Sequence, residues 1–190
     1  MILGWIRVVS KEVLQLVSLF LQYPTQEWVE KDLEQAIADL NLEERNTPIL
    51  SALQSFLLYL RENSLLKLAQ NYVQTFDFNE KTSLHLSAAL VETEKEQGKL
   101  LLSLKKLYEE GGFYLKTAEL PDYLPLVLEF LAIAEEKHKK KLLIIVLPAL
   151  QALRLNLTEI GSPYLALLEQ IFLLNEKYLP KGLQNHMEVD

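Results

Sequence analysis

Residues 119–131 read Glu119-Leu120-Pro121-Asp122-Tyr123-Leu124-Pro125-Leu126-Val127-Leu128-Glu129-Phe130-Leu131. Two prolines stiffen the start of an apolar run. Pro125 costs little there, because the first turn of a helix has no internal partner for the donor that proline lacks. Glu119 to Asp122 reads as a loop, and Asp122 is placed to cap a helix running from Tyr123 to Glu136. Downstream, Glu135-Glu136-Lys137-His138-Lys139-Lys140-Lys141 reads as a corner, followed by a helix to about Asn156. Gly161-Ser162-Pro163 stops that helix and starts the last one. Upstream, Gly111-Gly112 ends a mostly helical stretch that begins near Lys81.

The same reading extends to the N-terminus. A first helix from about Ile2 to Leu21 stops before Tyr23-Pro24, since the residue preceding proline is pushed out of helical geometry. Thr25 caps a second, which carries Trp28, Leu33, Ile37 and Leu40 on one side. Asn46-Thr47-Pro48 starts a third, with Thr47 as cap and Pro48 in the first helical position. After Asn63-Ser64, a fourth carries Leu65, Leu68, Ala69, Tyr72 and Phe76 at three-to-four spacing. Phe76-Asp77-Phe78-Asn79-Glu80 breaks the pattern. Of 190 residues, 44 are Leu, against 26 for Val, Ile and Thr together, a balance that favours helix over strand. The expected fold is a single all-α bundle of roughly eight helices over residues 1–180. A flexible tail is expected from 181 to 190.

Composition narrows function by exclusion. A net charge of −7 argues against nucleic acid and anionic membrane surfaces as partners. With no cysteine, the chain holds no disulfide, thiolate nucleophile or Cys-ligated metal. The apolar N-terminus is interrupted by Arg7 and Lys11 and lacks a cleavage site, unlike a signal peptide. The longest apolar run, Leu142 to Leu153, falls short of the roughly 20 residues of a membrane span. A soluble cytosolic protein is the expectation, in which the sequon Asn156-Leu157-Thr158 carries no sugar.

No catalytic constellation emerges. The six glycines build neither a G-x-G-x-x-G turn nor a P-loop. Glu135-x-x-His138 is a lone match to the helical di-iron pattern, and a solvated turn explains it better. Neither a metal nor a cofactor is expected, and the chain reads as a binder rather than an enzyme.

Two stretches stand out as candidates for binding. In Tyr72-Val73-Gln74-Thr75-Phe76-Asp77-Phe78, Tyr72 and Phe76 share a helix face. They are either core, with Asp77 and Glu80 forming a capping box, or one side of a peptide groove. Residues 119–126 are either a capped helix start or a preformed acidic lip, bracketed by Glu119 and Asp122, for a basic or amphipathic segment. Under the groove reading the peptide-binding residues are Tyr72, Phe76, Asp77, Glu119, Leu120, Pro121, Asp122, Tyr123, Leu124 and Leu128.

The chain resembles the NarJ family, assembly chaperones of respiratory nitrate reductase within the TorD/DmsD class of redox-enzyme maturation proteins. The resemblance is carried by Leu21-Gln22-Tyr23-Pro24, by residues 72–78, by Ser83-Leu84-His85-Leu86 and above all by residues 119–131. Order and spacing match from about Ser10 to Leu153. It implies an all-helical domain that binds the N-terminal segment of the nitrate reductase catalytic subunit in the cytoplasm. It also implies that the apo-enzyme is held for molybdenum cofactor insertion before membrane docking, with molybdenum cofactor biosynthesis proteins as further partners. Other branches of the class recognise a twin-arginine leader on a dimethyl sulfoxide or trimethylamine oxide reductase, which is the alternative. The end of this chain soon after its last expected helix matches the shorter family members.

Overall fold

The computed structural model describes residues 2–26, 33–40 and 47–178. The side chains of residues 2–10 and of Thr47 and Lys177 lie outside that description. Eight α-helices are present among the described residues: α1 (Ile2–Phe20), α2 (Leu33–Ala38), α3 (Thr47–Glu62), α4 (Leu65–Tyr72), α5 (Glu94–Glu110), α6 (Leu124–Ile133), α7 (Glu136–Glu159) and α8 (Leu165–Leu174). No β-strand occurs among these residues, only a single antiparallel bridge between His85 and Tyr123. The all-α expectation holds. The proposed positions of Trp28 and of the 181–190 tail lie outside the described residues.

Helix α6 is the centre of the bundle. Its sequence is apolar on all sides apart from Glu129, and eight of its ten residues are buried. A helix without a polar face can be stable in water only if neighbours surround it. Helix α1 lies along it, offering Val13, Leu14, Val17, Phe20 and Leu21 to Leu124, Val127, Leu128 and Leu131 within one core cluster. Ser18, buried on α1, donates its hydroxyl to the Pro125 carbonyl at 3.0 Å. Helix α8 packs on α1 and α3, and α7 packs on α8 and on the turns that follow α4. Burial raises the Glu129 carboxyl above its ordinary range, partly offset by the polar Ser18 side chain nearby.

Several local expectations are corrected. The stretch from Lys81 to Gly111 is not one helix. Residues Glu80–Thr82 and Leu86–Ala89 are short 3-10 turns, and α5 begins only at Glu94. Leu84 and Leu86 are drawn into the core and Thr82 and Ser87 are buried with polar partners, so long-range burial overrides local helix propensity. The real start signal was present in the sequence. Thr93 accepts from the Glu96 amide at 3.3 Å and donates to the Glu96 carboxylate at 2.9 Å.

The lysine run is likewise not a corner. Ala134 and Glu135 make a two-residue extended connection, and Lys137 to Lys141 already lie in α7. His138 is buried in its first turns rather than solvated. Helix α7 is 24 residues long and by length and composition alone could cross a bilayer, longer than the apolar run suggested. Its inward residues, among them Leu142, Leu143, Val146, Leu150 and Leu153, belong to the core cluster, as in a core helix of a globular protein.

The end of α5 is shaped by its glycines. Gly112 takes φ +76°, a left-handed conformation that side chains disfavour. Gly111 is needed for room, since a Cβ there would lie 2.6 Å from Cε2 of the fully buried Phe130. Gly111→Ala should therefore lower the unfolding free energy by about 1–3 kcal/mol, the range for overpacking a core, as read by urea denaturation. An unchanged midpoint would mean that the α5–α6 contact is looser than described.

Candidate functional site

The two stretches singled out in the sequence meet in space. The Leu86 amide donates to the Asp122 carbonyl at 3.1 Å, and the Leu124 amide donates to the Leu84 carbonyl at 2.8 Å. These two bonds join segment 84–86 to segment 122–124, linking residues 36 and 40 positions apart in the chain (122 − 86 and 124 − 84). Asp122 completes the junction with its side chain. Its carboxylate is fully buried and accepts from the Ser87 amide at 2.9 Å, while its other oxygen lies 3.5 Å from Nδ1 of His85. The expected cap is thus corrected. Asp122 does not cap its own helix α6, whose N-cap is Tyr123 with no side-chain bond, but holds the 3-10 turn at Leu86–Ala89. A buried carboxylate must be hydrogen-bonded, and the nearest donors lie across the junction rather than along its own helix.

Electrostatics follow from this geometry. Burial works to raise the Asp122 carboxyl, but its hydrogen bonds from His85 and Ser87 outweigh that and hold it below the ordinary carboxylate range. The same hydrogen bond raises His85 above its ordinary value, against partial burial and with help from the charges of Asp122, Glu119 and Asp77. The charges of Asp77 and Glu119 therefore act at one place although 42 positions separate them in the chain (119 − 77).

Aromatic rings line the junction. The His85 and Tyr123 rings are 5.3 Å apart, the hydroxyls of Tyr123 and Tyr72 are 3.4 Å apart, and Tyr23 meets Tyr72 edge-on at 5.5 Å. The Tyr72 hydroxyl also donates to the Leu21 carbonyl at 3.2 Å, tying α4 to the end of α1. Burial pushes the Tyr72 and Tyr123 hydroxyls up, so both stay neutral. Beneath the junction the Tyr108 hydroxyl donates to the Pro121 carbonyl at 2.6 Å.

The ten sequence-predicted residues divide by depth. Tyr72, Phe76, Pro121, Asp122, Leu124 and Leu128 are buried. Tyr72 and Phe76 belong to an aromatic cluster around Tyr164, with ring centroids 6.3 and 4.7 Å from it. Asp77, Glu119 and Leu120 are exposed and Tyr123 is half-buried. Six therefore lie inside the molecule and the other four reach its surface. Asp77 does not cap a helix with Glu80. Instead Asn79 caps, its side chain accepting from the Lys81 amide at 3.2 Å. His85 and Tyr23 adjoin Tyr123 and Tyr72 through their rings and were missing from the ten. His85 lies 37 residues from Asp122 in sequence, and only the quoted Ser83-Leu84-His85-Leu86 motif marked it. No group of three or more metal-binding side chains occurs among the described residues.

Removing Asp122 leaves the Ser87 amide buried without its acceptor. Asp122→Ala should cost about 1–3 kcal/mol of stability. The His85 contribution has a defined pH window. A raised pKa stabilises the fold fully below the ordinary value of 6.5 and is lost as pH rises through the folded-state value. The lowered Asp122 carboxyl contributes fully above its ordinary 3.8 and is lost as pH falls below that. The stability difference between the wild-type chain and His85→Ala should thus be largest between about pH 4 and 6.5 and shrink above it. A difference that is flat across this range, measured by urea unfolding, would break the link.

Comparison with known proteins is consistent across the chain. A family profile described as nitrate reductase delta subunit matches residues 41–168. The chain is 36% identical over 121 residues to the probable nitrate reductase molybdenum cofactor assembly chaperone NarJ of Bacillus subtilis, covering 63% of this chain and 64% of that protein. It is 31% identical over 163 residues to the probable chaperone of the same description, NarW, of Escherichia coli, covering 86% and 68%. It is 31% identical over 164 residues to the nitrate reductase molybdenum cofactor assembly chaperone NarJ of Escherichia coli, covering 85% and 68%. The chain thus spans about two thirds of the length of these relatives.

Proposed function

The chain belongs to the nitrate reductase delta subunit family, and from that membership we propose that it is an assembly chaperone for a nitrate reductase, not a catalyst. The chain binds the N-terminal segment of the catalytic subunit in the cytoplasm and holds the apo-enzyme while the molybdenum cofactor is inserted. The names of its relatives support the client, and the junction supports the mode of binding.

The observation that carries the binding mode is the pairing of a rigid floor with an acidic, partly aromatic surface. Asp77, Glu119, Leu120 and Tyr123 make the contacts, and Tyr72, Phe76, Pro121, Asp122, Leu124 and Leu128 hold them in place. A preformed surface spares the chaperone the cost of ordering its own loops. The client segment, being flexible, bears that cost instead, so affinity stays moderate and release remains possible. Asp77 and Glu119 favour a segment with basic groups and speed its encounter, an effect that salt screens. Apolar side chains spaced three or four apart then seat against Tyr123 and Leu120.

Calorimetric titration with a peptide from the N-terminus of the same organism's nitrate reductase catalytic subunit tests this reading. Saturable binding with a negative heat-capacity change is expected. Asp77→Asn and Glu119→Gln should each weaken it by about two- to fivefold at low salt and less at high salt, with the helical circular dichroism unchanged. Binding to a twin-arginine leader alone would assign the chain another molybdoenzyme client. Absence of binding to either peptide would overturn the reading.

A further inference from the structure

Helix α4 ends in an unusual way. After Tyr72 the chain widens into a π-helical turn, Val73–Asp77, closed by the Phe78 amide donating to the Val73 carbonyl at 3.0 Å, five residues back. Such turns are rare, often sit at functional sites, and persist only where the surroundings enforce them. Here the enforcement is visible. The Thr82 hydroxyl, fully buried, donates to the Thr75 carbonyl inside the turn. Asn79 caps the next turn through the Lys81 amide, and the Lys81 carbonyl accepts from the Asn156 side chain of α7 at 2.8 Å. The segment 73–82 is thereby fastened to itself and to α7.

The side chain that this frame presents is Phe78. Phe76, two residues earlier, is 4% exposed in the core, whereas Phe78 is 84% exposed, the most exposed large apolar residue among those described. An isolated apolar side chain on a surface is ordinary. This one is held out by a backbone that several fixed bonds prevent from folding it inward. It also adjoins the exposed Asp77 in the turn that directly follows Tyr72, whose hydroxyl lies 3.4 Å from that of Tyr123. Phe78 thus projects from the same segment that carries Tyr72 and Asp77.

We propose that Phe78 is the apolar anchor of the client site: a preset ring that receives an apolar side chain of the client segment while a neighbouring cationic group of that segment meets Asp77 and Glu119. This assignment rests on the reading of the chain as a peptide-binding chaperone. Charge complementarity selects the occupant. An acidic rim next to an exposed ring suits a basic amphipathic segment and disfavours an acidic one. The ring contributes contact area at little entropic cost, because its backbone is already fixed.

The test is a double-mutant cycle on the full chain with the N-terminal peptide of the catalytic subunit as probe. Phe78→Ala should raise Kd about tenfold, as for a central aromatic anchor, and Phe78→Leu should restore part of the loss. Leu102→Ala, removing an exposed apolar side chain on α5, should leave Kd unchanged. Peptides with single apolar residues replaced by serine identify the partner. For one of them, the losses from the peptide change and from Phe78→Ala should fall well short of adding. Thermal unfolding of Phe78→Ala should match the wild-type chain, since the ring is exposed. Normal peptide affinity in Phe78→Ala, or losses that add for every peptide variant, would overturn the anchor while leaving the chaperone reading intact. Failure of the wild-type chain to bind the peptide would overturn both.

Discussion

A single buried carboxylate ties the molecule together. Asp122 has no solvent contact, and a charge in that position is tolerable only because the Ser87 amide and the His85 ring face it. Around it, two backbone hydrogen bonds join residues 84–86 to 122–124. The junction closes the loop that contains α5 and fixes where α6 begins. Helix α6 then has α1 along one side and the aromatic groups of α5 on another, where Tyr108 meets Phe130 at 4.7 Å. The loop from Gly112 to Pro121 has little regular structure. It is returned to the core by the Tyr108 bond to Pro121 and by Asp122 itself.

Under the proposed function, that arrangement lets an irregular region support recognition. Segments 73–93 and 111–123 make turns rather than long helices, and such segments are usually the mobile parts of a helical protein. Here they are pinned by bonds that reach far along the chain: Tyr72 to Leu21, Asn156 to Lys81, and Asp122 to Ser87. Rigid elements beneath and polar groups above give a surface that need not reorganise to bind. In the proposed function, buried residues beneath an exposed acidic rim suit a moderate, reversible grip on a flexible segment.

The charge balance acts in the same direction. The chain carries −7 overall, yet its acidic groups are not spread evenly in effect. Asp77, Glu119 and Asp122 act together on His85, and Asp77 and Glu119 together raise the Tyr123 hydroxyl. Neutral tyrosine hydroxyls beside carboxylates keep the site rich in acceptors, which suits donors on a basic partner.

The sequence by itself determined the all-helical class, because leucine outnumbers the β-branched residues and the apolar spacing is helical along most of the chain. It also marked residues 72–78 and 119–131 as the unusual stretches and linked them to a chaperone family. Most helix boundaries that depend on a neighbouring proline or glycine were legible too, such as the stop of α1 before Tyr23-Pro24 and the glycine at 112. Capping at Asp77 and Asp122 was misread, since the partner of a buried carboxylate is chosen by proximity in space. The helix expected from Lys81 failed for the same reason: burying Leu84 and Leu86 in the core outweighs the few tenths of a kcal/mol per residue that favour helix locally. Only the tertiary structure decided that His85 meets Asp122, that Asp77 and Glu119 share one surface, and that Phe76 turns inward while Phe78 stays out. Each of those pairs or choices depends on contacts between segments tens of residues apart, and no local pattern encodes the distance between them.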